Sequence, residues 1–540
     1  MSKNLKTAMP WLFLLGILVG AAWAGVMGHP VAGLATLVFG TVGFNHIPSD
    51  IRVPLFYAEM DNSAANTLGS GAKRVLVIGQ MFSSGSAAPN KAIMVPSTAM
   101  AKGYFGQGSM LARMHEYVRK VDSFIEVWCI GLLEAAAGAA ATGTVTVTGP
   151  ASAAGTINLY IAGQRVQVGV AAADTAAMIA GEIVVAVNAN EDLPVTASAT
   201  GAQVTLTCRW KGASGNDITI QDSFRGSAGG EALPDGVGLQ YSAGFLSEGA
   251  TDPDLNAAIL AMGDEEYDFV LFPFTDSANL DAMEAEYNDS TGRWAWSRMI
   301  YGHCYSAKRG LSSDLVTFGK TRNGPHQTIA GFEKDVPNPV WEYAASYGAR
   351  NASYIAIDPA RPTQTGELTG ILAPRVGNRF LLTERQSLLT YGIATSYVSN
   401  GTVCVERAIT TYQRNAYGQA DNSYLDSETL HTNAELIRRL RTTVTSKYGR
   451  HKLANDGTVY GAGQPIVTPS VIRGELVAGY AKAETDGLVE NADLFAKYLI
   501  VERDGTDPDR VNVLYPPDLI NQLRIFALLN QFRLQYPANA

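Results

Sequence analysis

His303 and Cys304, adjacent in the stretch GHC at 302–304, are the pair in this 540-residue chain best suited by type to do chemistry: an imidazole to take a proton and a thiol to attack. They fall at the end of a predicted strand in an α/β region, where active sites often gather. Neighbours on a strand point to opposite faces, however, so the two cannot share one dyad. The acidic clusters GDEEYD (263–268) and DGTDPDR (504–510) hold enough carboxylates for a cation, yet neither follows the calcium-loop pattern, and solvated turns are expected. GQGSM (106–110) and GAGQP (461–465) lack the third glycine of a dinucleotide loop, and no nucleophile elbow, phosphate loop or H-E-x-x-H zinc motif is present. Cys129, Cys208, Cys304 and Cys404 lie far apart without a C-x-x-C pair, so they are expected as reduced, buried thiols. No catalytic residue, cofactor or metal is expected.

Composition narrows the partners. A net charge of −9, from 41 Lys and Arg against 50 Asp and Glu, supplies no basic stripe, and nucleic acid is not expected as a partner. Only 17% of residues are charged and 54 are glycine, a surface poor in charge that something else could cover. The length calls for several domains. From Ala8 to Phe44 there is no Asp, Glu, Lys or Arg, and WLFLLGILVGAAWAGVM has the length of a membrane crossing. The whole run is nearly twice the roughly 20 residues one crossing needs and is broken by His29-Pro30, so membrane contact through residues 8–44 stays open.

The elements that would position these residues follow from periodicity. KRVLVIGQ (73–80) and FIEVWCIG (124–131) read as buried strands, and GSMLARMHEYVRKVD between them places Leu111, Met114, Tyr117, Val118 and Val121 at helical spacing, a β-α-β unit. DFVLFPF (268–274), RMIYGHCYS (298–306) and HQTIAGF (326–332) repeat the alternation with helical segments, so the two halves are expected to form one parallel, helix-covered sheet. Between them, residues 136–239 alternate apolar and polar with Gly, Asn and Ser turns, the pattern of an inserted β-sandwich. Only DTAAMIAGEIVVAVNAN within it reads as helix. This insert is expected to face outward and to contribute little to assembly. RPTQTGELTGILAPR (361–375) reads as a proline-rich loop, SNGT (399–402) as a hairpin turn, and LHTNAELIRRLRTTVTSKYG as a long helix with Glu435 and Arg439 one turn apart.

Both chain ends are extended and lack a nearby partner. In FNHIPSDIRVPLFYAEMDNSAAN (44–66), Pro48 and Pro54 hold their neighbours out of helix. At the other end, RVNVLYPPDLINQLRIFALLNQFRLQYP carries an alternating strand, a Pro-Pro stop and a final apolar-polar run. Such strands are expected to add to sheets of other molecules.

IPSDIRVPLFYAEMDNS followed by KRVLVIGQ resembles the start of the tail sheath proteins of Mu-like contractile-tailed bacteriophages. LLTYGIATSYVSNGTVCVERAITTY and LYPPDLINQLRIFALLNQFRLQ are similar to their C-terminal parts, and the resemblance spans about residues 44–540. It implies a multidomain α/β fold: a subtilisin-like-topology α/β core without protease activity, an inserted β-rich domain, an α+β C-terminal domain that contacts the tail tube, and extended terminal arms. The expected division is an apolar extension at 1–41, an N-terminal arm at 42–70, core at 71–135 and 240–375, the insert at 136–239, the C-terminal domain at 376–518 and the C-terminal arm at 519–540. The arms are expected to pair through Ile51, Arg52, Val53, Leu55, Phe56 and Tyr57 at one end and Arg524, Ile525, Phe526, Leu528, Phe532 and Leu534 at the other.

The function implied is a structural subunit that polymerises helically around the tail tube and contracts to drive the tube through the host envelope. Implied partners are copies of itself in hexameric layers, the tube protein, and baseplate and tail terminator proteins; the implied place is the virion tail, assembled in host cytoplasm. A membrane-anchored sheath-like or surface-binding protein and an α/β hydrolytic enzyme are the rival readings. The family pattern GFNHIPSD begins directly after Val42, a residue GTG can encode as a start, so residues 1–41 are expected to be an upstream-extended or fused reading frame, with a true anchor as the alternative.

Overall fold

Val75, Leu76, Val77 and Ile78 are all fully buried, because the Arg74–Gln80 strand lies inside a sheet covered on both faces, which is also why its sequence does not alternate. The computed structural model describes residues 73–535; the extension 1–41 and the arm residues Ile51, Arg52, Val53, Leu55, Phe56 and Tyr57 lie outside them. The six-stranded sheet runs in the order Gln327–Glu333, His303–Gly310, Phe269–Leu271, Arg74–Gln80, Glu126–Leu132, Ala92–Met94. All neighbours are parallel except the last pair. Val75 opposite Phe269 is where the two halves of the sequence join.

The antiparallel edge strand Ala92–Met94 was not expected from sequence, and the strand expected at 298–306 starts only at His303. One face carries the helices Met110–Val121 and Val340–Ile357. At Gly348 a Cβ would stand 2.1 Å from Leu271 Cδ2, so glycine lets the second helix approach the sheet closely.

The insert is built as two sheets. Gly238–Tyr241, Ala140–Thr148, Gln203–Lys211 and Val195–Thr200 form one, and Gln164–Val170, Gly155–Ile161 and Ile220–Asp222 the other, with the helix Ala176–Ala189 alongside. It packs closely on the core. Its apolar residues belong to the same continuous cluster as those of the sheet, and Trp210 meets Trp341 edge-on with ring centroids 5.2 Å apart. Arg309, at the end of a core strand, forks onto Asp217 of the insert with Nε and Nη2 at 2.6 and 3.1 Å, and lies over Phe245, which bridges Thr219 of the insert, and over Phe332 of the core. The Thr219 hydroxyl donates to the Pro337 carbonyl at 2.6 Å. Removing the insert would bare a tryptophan and leave a largely buried arginine without its carboxylate, so the insert contributes to the stability of the subunit itself.

The expected loop 361–375 likewise contains a strand, Glu367–Leu372, kinked at Gly370 with φ of 87°. It pairs with Thr402–Arg407, whose hairpin partner is Thr395–Ser399. Asn400 and Gly401 both take positive φ, 50° and 83°, as a two-residue hairpin turn demands. Ala394 bridges Ala330 in parallel, so the hairpin extends from the central sheet, and pairing crosses the expected boundary at 375/376.

Beyond it the helix Ser427–Tyr448 buries Leu430, Ala434 and Leu436 in its first half, while its second half is largely exposed. Glu435 and Arg439 pair at 3.1 Å. A second core forms around Leu436, Leu476, Tyr480 and Phe495, the last two rings stacked at 3.7 Å.

Candidate assembly surface

The residues with chemical potential are structural here. His303 and Cys304 are buried and diverge. The His303 ring shares a hydrogen bond with the Thr328 hydroxyl at 2.7 Å and meets His431 of the long helix, while burial pushes the Cys304 thiol well up and its neighbours are Tyr287 and Arg293. Burial, followed by the nearby His431, drives the His303 pKa well below the ordinary histidine value, so the ring is neutral. The GDEEYD cluster is more than a solvated turn, because Asp268 is buried and accepts Arg438 at 2.7 Å and the Arg74 backbone N–H at 3.0 Å. Glu266 takes the same Arg438 at 2.7 Å, so the cluster ties the strand starts to the long helix. In DGTDPDR, Asp504 closes a turn: its carboxylate accepts the backbone N–H groups of Asp507 and Thr506 at 2.9 and 2.8 Å, which hold it well below the usual carboxylate range. Among the described residues no group of three or more His, Cys, Asp or Glu is arranged to hold a metal ion, and no helix is long and apolar enough to cross a membrane. The four cysteines are free and buried.

What stands out is apolar surface facing solvent in the C-terminal segment. After the Leu519–Val489 bridge, residues 521–535 form no strand. Leu523, Ile525, Phe526, Leu528, Leu529, Phe532 and Leu534 are 71 to 97% exposed. Burying each such side chain is worth about 1.5–3 kcal/mol, so leaving them all in water is costly unless something covers them.

Arg524 behaves differently from the residues it was grouped with. Its side chain is 11% exposed and its Nη2 lies 2.9 Å from Glu428 and 3.4 Å from Asp426, both at the start of the long helix, with Gln522 beside it. Arg524 therefore fixes the segment to its own subunit, with exposed Leu523 just before it and the longer exposed run directly after it. Sequence reasoning could not separate the two, since the carboxylates it meets are almost 100 positions away.

A second open surface lies nearby in the same domain. Ile500–Arg503 and Val511–Leu514 form a two-stranded antiparallel ribbon with no third strand among the described residues. Ile500, Val513 and Leu514 are exposed on it, and an apolar groove of about 300 Å³ lined by Leu440, Val444, Ile472, Val511, Val513 and Tyr515 runs beside it. Such a ribbon is marginal by itself and presents unpaired edge groups. Sequence reasoning found its second strand and missed the first; the alternation in YLIVERDG carried that signal.

Residues 136–238 match the phage tail sheath protein beta-sandwich domain, residues 248–411 the phage tail sheath protein central domain and residues 419–533 the phage tail sheath C-terminal domain. The chain is 41% identical over 496 residues to a Mu-like prophage tail sheath protein of Haemophilus influenzae, covering 92% of this chain and 100% of that one. Among solved structures it is similar to a sheath tail protein of Desulfitobacterium hafniense, at 12% identity and a TM-score of 0.43 over 87% of this chain and 100% of that one. A sheath tail protein of Listeria innocua gives 11% and 0.45 over 84% and 94%.

Proposed function

The chain belongs to the phage tail sheath family, and from that premise we propose that its copies polymerise in hexameric layers around a tail tube and contract to drive the tube through the host envelope. The observation that carries this reading is the exposed apolar segment after Arg524, with a ribbon of open edges in the same domain to receive its counterpart from another copy. Ile525, Phe526, Leu528, Phe532 and Leu534 are the pairing residues in this reading, and Arg524 is the anchor from which they project. Strand addition satisfies backbone donors and apolar side chains together, which a loose tail in water does not.

Contraction then needs little change inside the subunit. The insert, the sheet and the hairpin share one core and move as one body, while the segment beyond Arg524 keeps neighbours joined as other contacts are exchanged. A head-to-tail contact that does not close into a ring generates such an array. The parallel strands of the core support the subtilisin-like arrangement implied by the resemblance. The burial and divergence of His303 and Cys304 support a role without catalysis. Tube, baseplate and terminator proteins as partners, and assembly in the host cytoplasm, follow from the same premise.

The test is a proline scan of the exposed run. Phe526→Pro and Leu528→Pro each remove a ladder donor outside the folded body. Electron microscopy of purified protein is expected to show tubes for the parent and none for either variant, with the melting transition retained. Ordered tubes from both variants would overturn the role given to this segment.

A further inference from the structure

The strands His303–Gly310 and Gln327–Glu333 run parallel, so the loops leading into them gather at one end of the sheet and the loops leaving them at the other. At the leading end stands the loop around Tyr417. Its base is held where Thr411 meets Gly324, just before the second strand, and where Asn323 Oδ1 accepts the backbone N–H groups of Gln413 and Arg414 at 2.8 and 2.9 Å. The tip is equally ordered: the Gly418 N–H donates to the Asn415 carbonyl at 2.9 Å, the Tyr417 N–H to Asn415 Oδ1 at 3.0 Å, and Gly418 takes φ of 75°. On this fixed tip the Tyr417 side chain is 89% exposed. Its own subunit makes little use of it.

At the trailing end lies a cleft of about 950 Å³ between the insert and the core. Tyr241 of the insert and Phe245, bridged to the insert's Thr219, form one wall, Leu311 and Lys334 come directly after the two strands, and Arg375 and Leu381 close the third side. Leu311 and Leu381 are exposed, and Arg375, held by Asp335 at 3.5 Å and Gln221 at 3.1 Å, lies over the Phe224 ring with its guanidinium carbon 5.4 Å from the centroid and keeps 48% of its side chain exposed. The walls thus offer apolar surface and a flat cation, the two partners an aromatic ring takes best.

We propose that the Tyr417 tip of one copy seats in this cleft of the next. The proposal rests on the sheath reading and adds to it a specific contact, separate from the terminal segments. The two patches are separated by the length of the strands, roughly 20 Å for seven residues, and they are not the same surface. A contact between different patches of identical chains is heterologous: each copy offers one tip and one cleft, and the array stays open for the next. A tyrosine on an already ordered loop gives up little freedom on docking, which is what makes such residues dominate interface energies. The insert acquires a role in the same step, because it supplies a wall of the receiving cleft.

The test uses the full chain. All four native cysteines are buried, so thiols introduced by Tyr417→Cys on the tip and Asn378→Cys, an exposed position in the cleft lining beside Arg375, are the reactive ones. Treated with a short bismaleimide in assembled tubes, the double variant is expected to give a ladder of covalent multimers and each single variant only monomers. Tyr417→Ala is expected to raise the concentration needed for tube formation about ten-fold or more with an unchanged melting transition, and Tyr417→Phe to restore most of it. Tubes without a ladder, a dimer from Tyr417→Cys alone, a cross-link to a different protein only, or parental assembly by Tyr417→Ala would each overturn the contact while leaving the sheath reading standing. Failure of the parent itself to form tubes would remove that reading, and this contact with it.

Discussion

The helix interface beneath the sheet and the segment after Arg524 treat the same kinds of residue in opposite ways. In the first, even charge is taken inside: Arg113 contacts Glu342 with Nε and Nη2 at 3.1 and 2.8 Å, and Glu342 also accepts Asn338 at 2.8 Å. Burial alone would lower the Arg113 pKa, but the adjacent Glu342 more than offsets it and holds the group above the ordinary arginine value. In the second, leucine and phenylalanine are left in water. The comparison separates residues whose partners lie within the subunit from those whose partners do not, and it implies that substitutions in the two regions fail in different ways.

The largest expected effect is in the buried network. Glu342→Ala takes the fully buried counter-charge from Arg113, which keeps only the partly exposed Glu116 carboxylate at 2.7 Å, and is expected to cost about 3 kcal/mol, read as a fall in the denaturant midpoint. Trp341→Ala, which empties the contact between core and insert, is expected to cost a similar amount, about 3–5 kcal/mol, and to loosen both regions together. Separate transitions for insert and core would break the picture of one body.

Acid is expected to act next. Burial pulls the His115 pKa from its ordinary 6.5 to about 4, and burial also lowers His303 and His431. The unfolded chain takes up these protons where the folded one does not, so stability is full above about pH 6.5 and declines as pH falls toward 4, by on the order of 3 kcal/mol for His115. Melting across that range checks the sign. His115→Gln, whose amide can still donate to the Val95 carbonyl, is expected to flatten the slope.

Arg524→Ala sits between the two regions. It leaves the buried Glu428 its bonds from Thr363 and Ser427 but no cation, and is expected to cost about 1–3 kcal/mol of stability while freeing the tail. Smallest on the subunit, and largest on assembly, are Phe526→Ala and Leu528→Ala, each expected to change the melting free energy by less than about 0.5 kcal/mol.

Much of this was legible in the sequence wherever the signal is local. The Asn400-Gly401 turn, the β-α-β unit and the alternating strands of the insert follow from spacing within a dozen residues. The strand Glu367–Leu372 was hidden because flanking prolines and the kink at Gly370 break its alternation. The docking of the insert was not legible because Asp217 and Arg309 are 92 positions apart, and nothing in either neighbourhood names the other. The carboxylates that hold Arg524 were not legible for the same reason. The exposed run after it could be read because an apolar stretch beyond a Pro-Pro stop has no local means of burial.

One preparation tests the central claim most directly: the chain ending at Arg524, compared with the full chain by thermal melting and by electron microscopy. The account predicts the same cooperative transition in both, with tubes from the full chain and dispersed monomers from the shortened one. Tubes from the shortened chain, or a shortened chain that fails to fold, would contradict it.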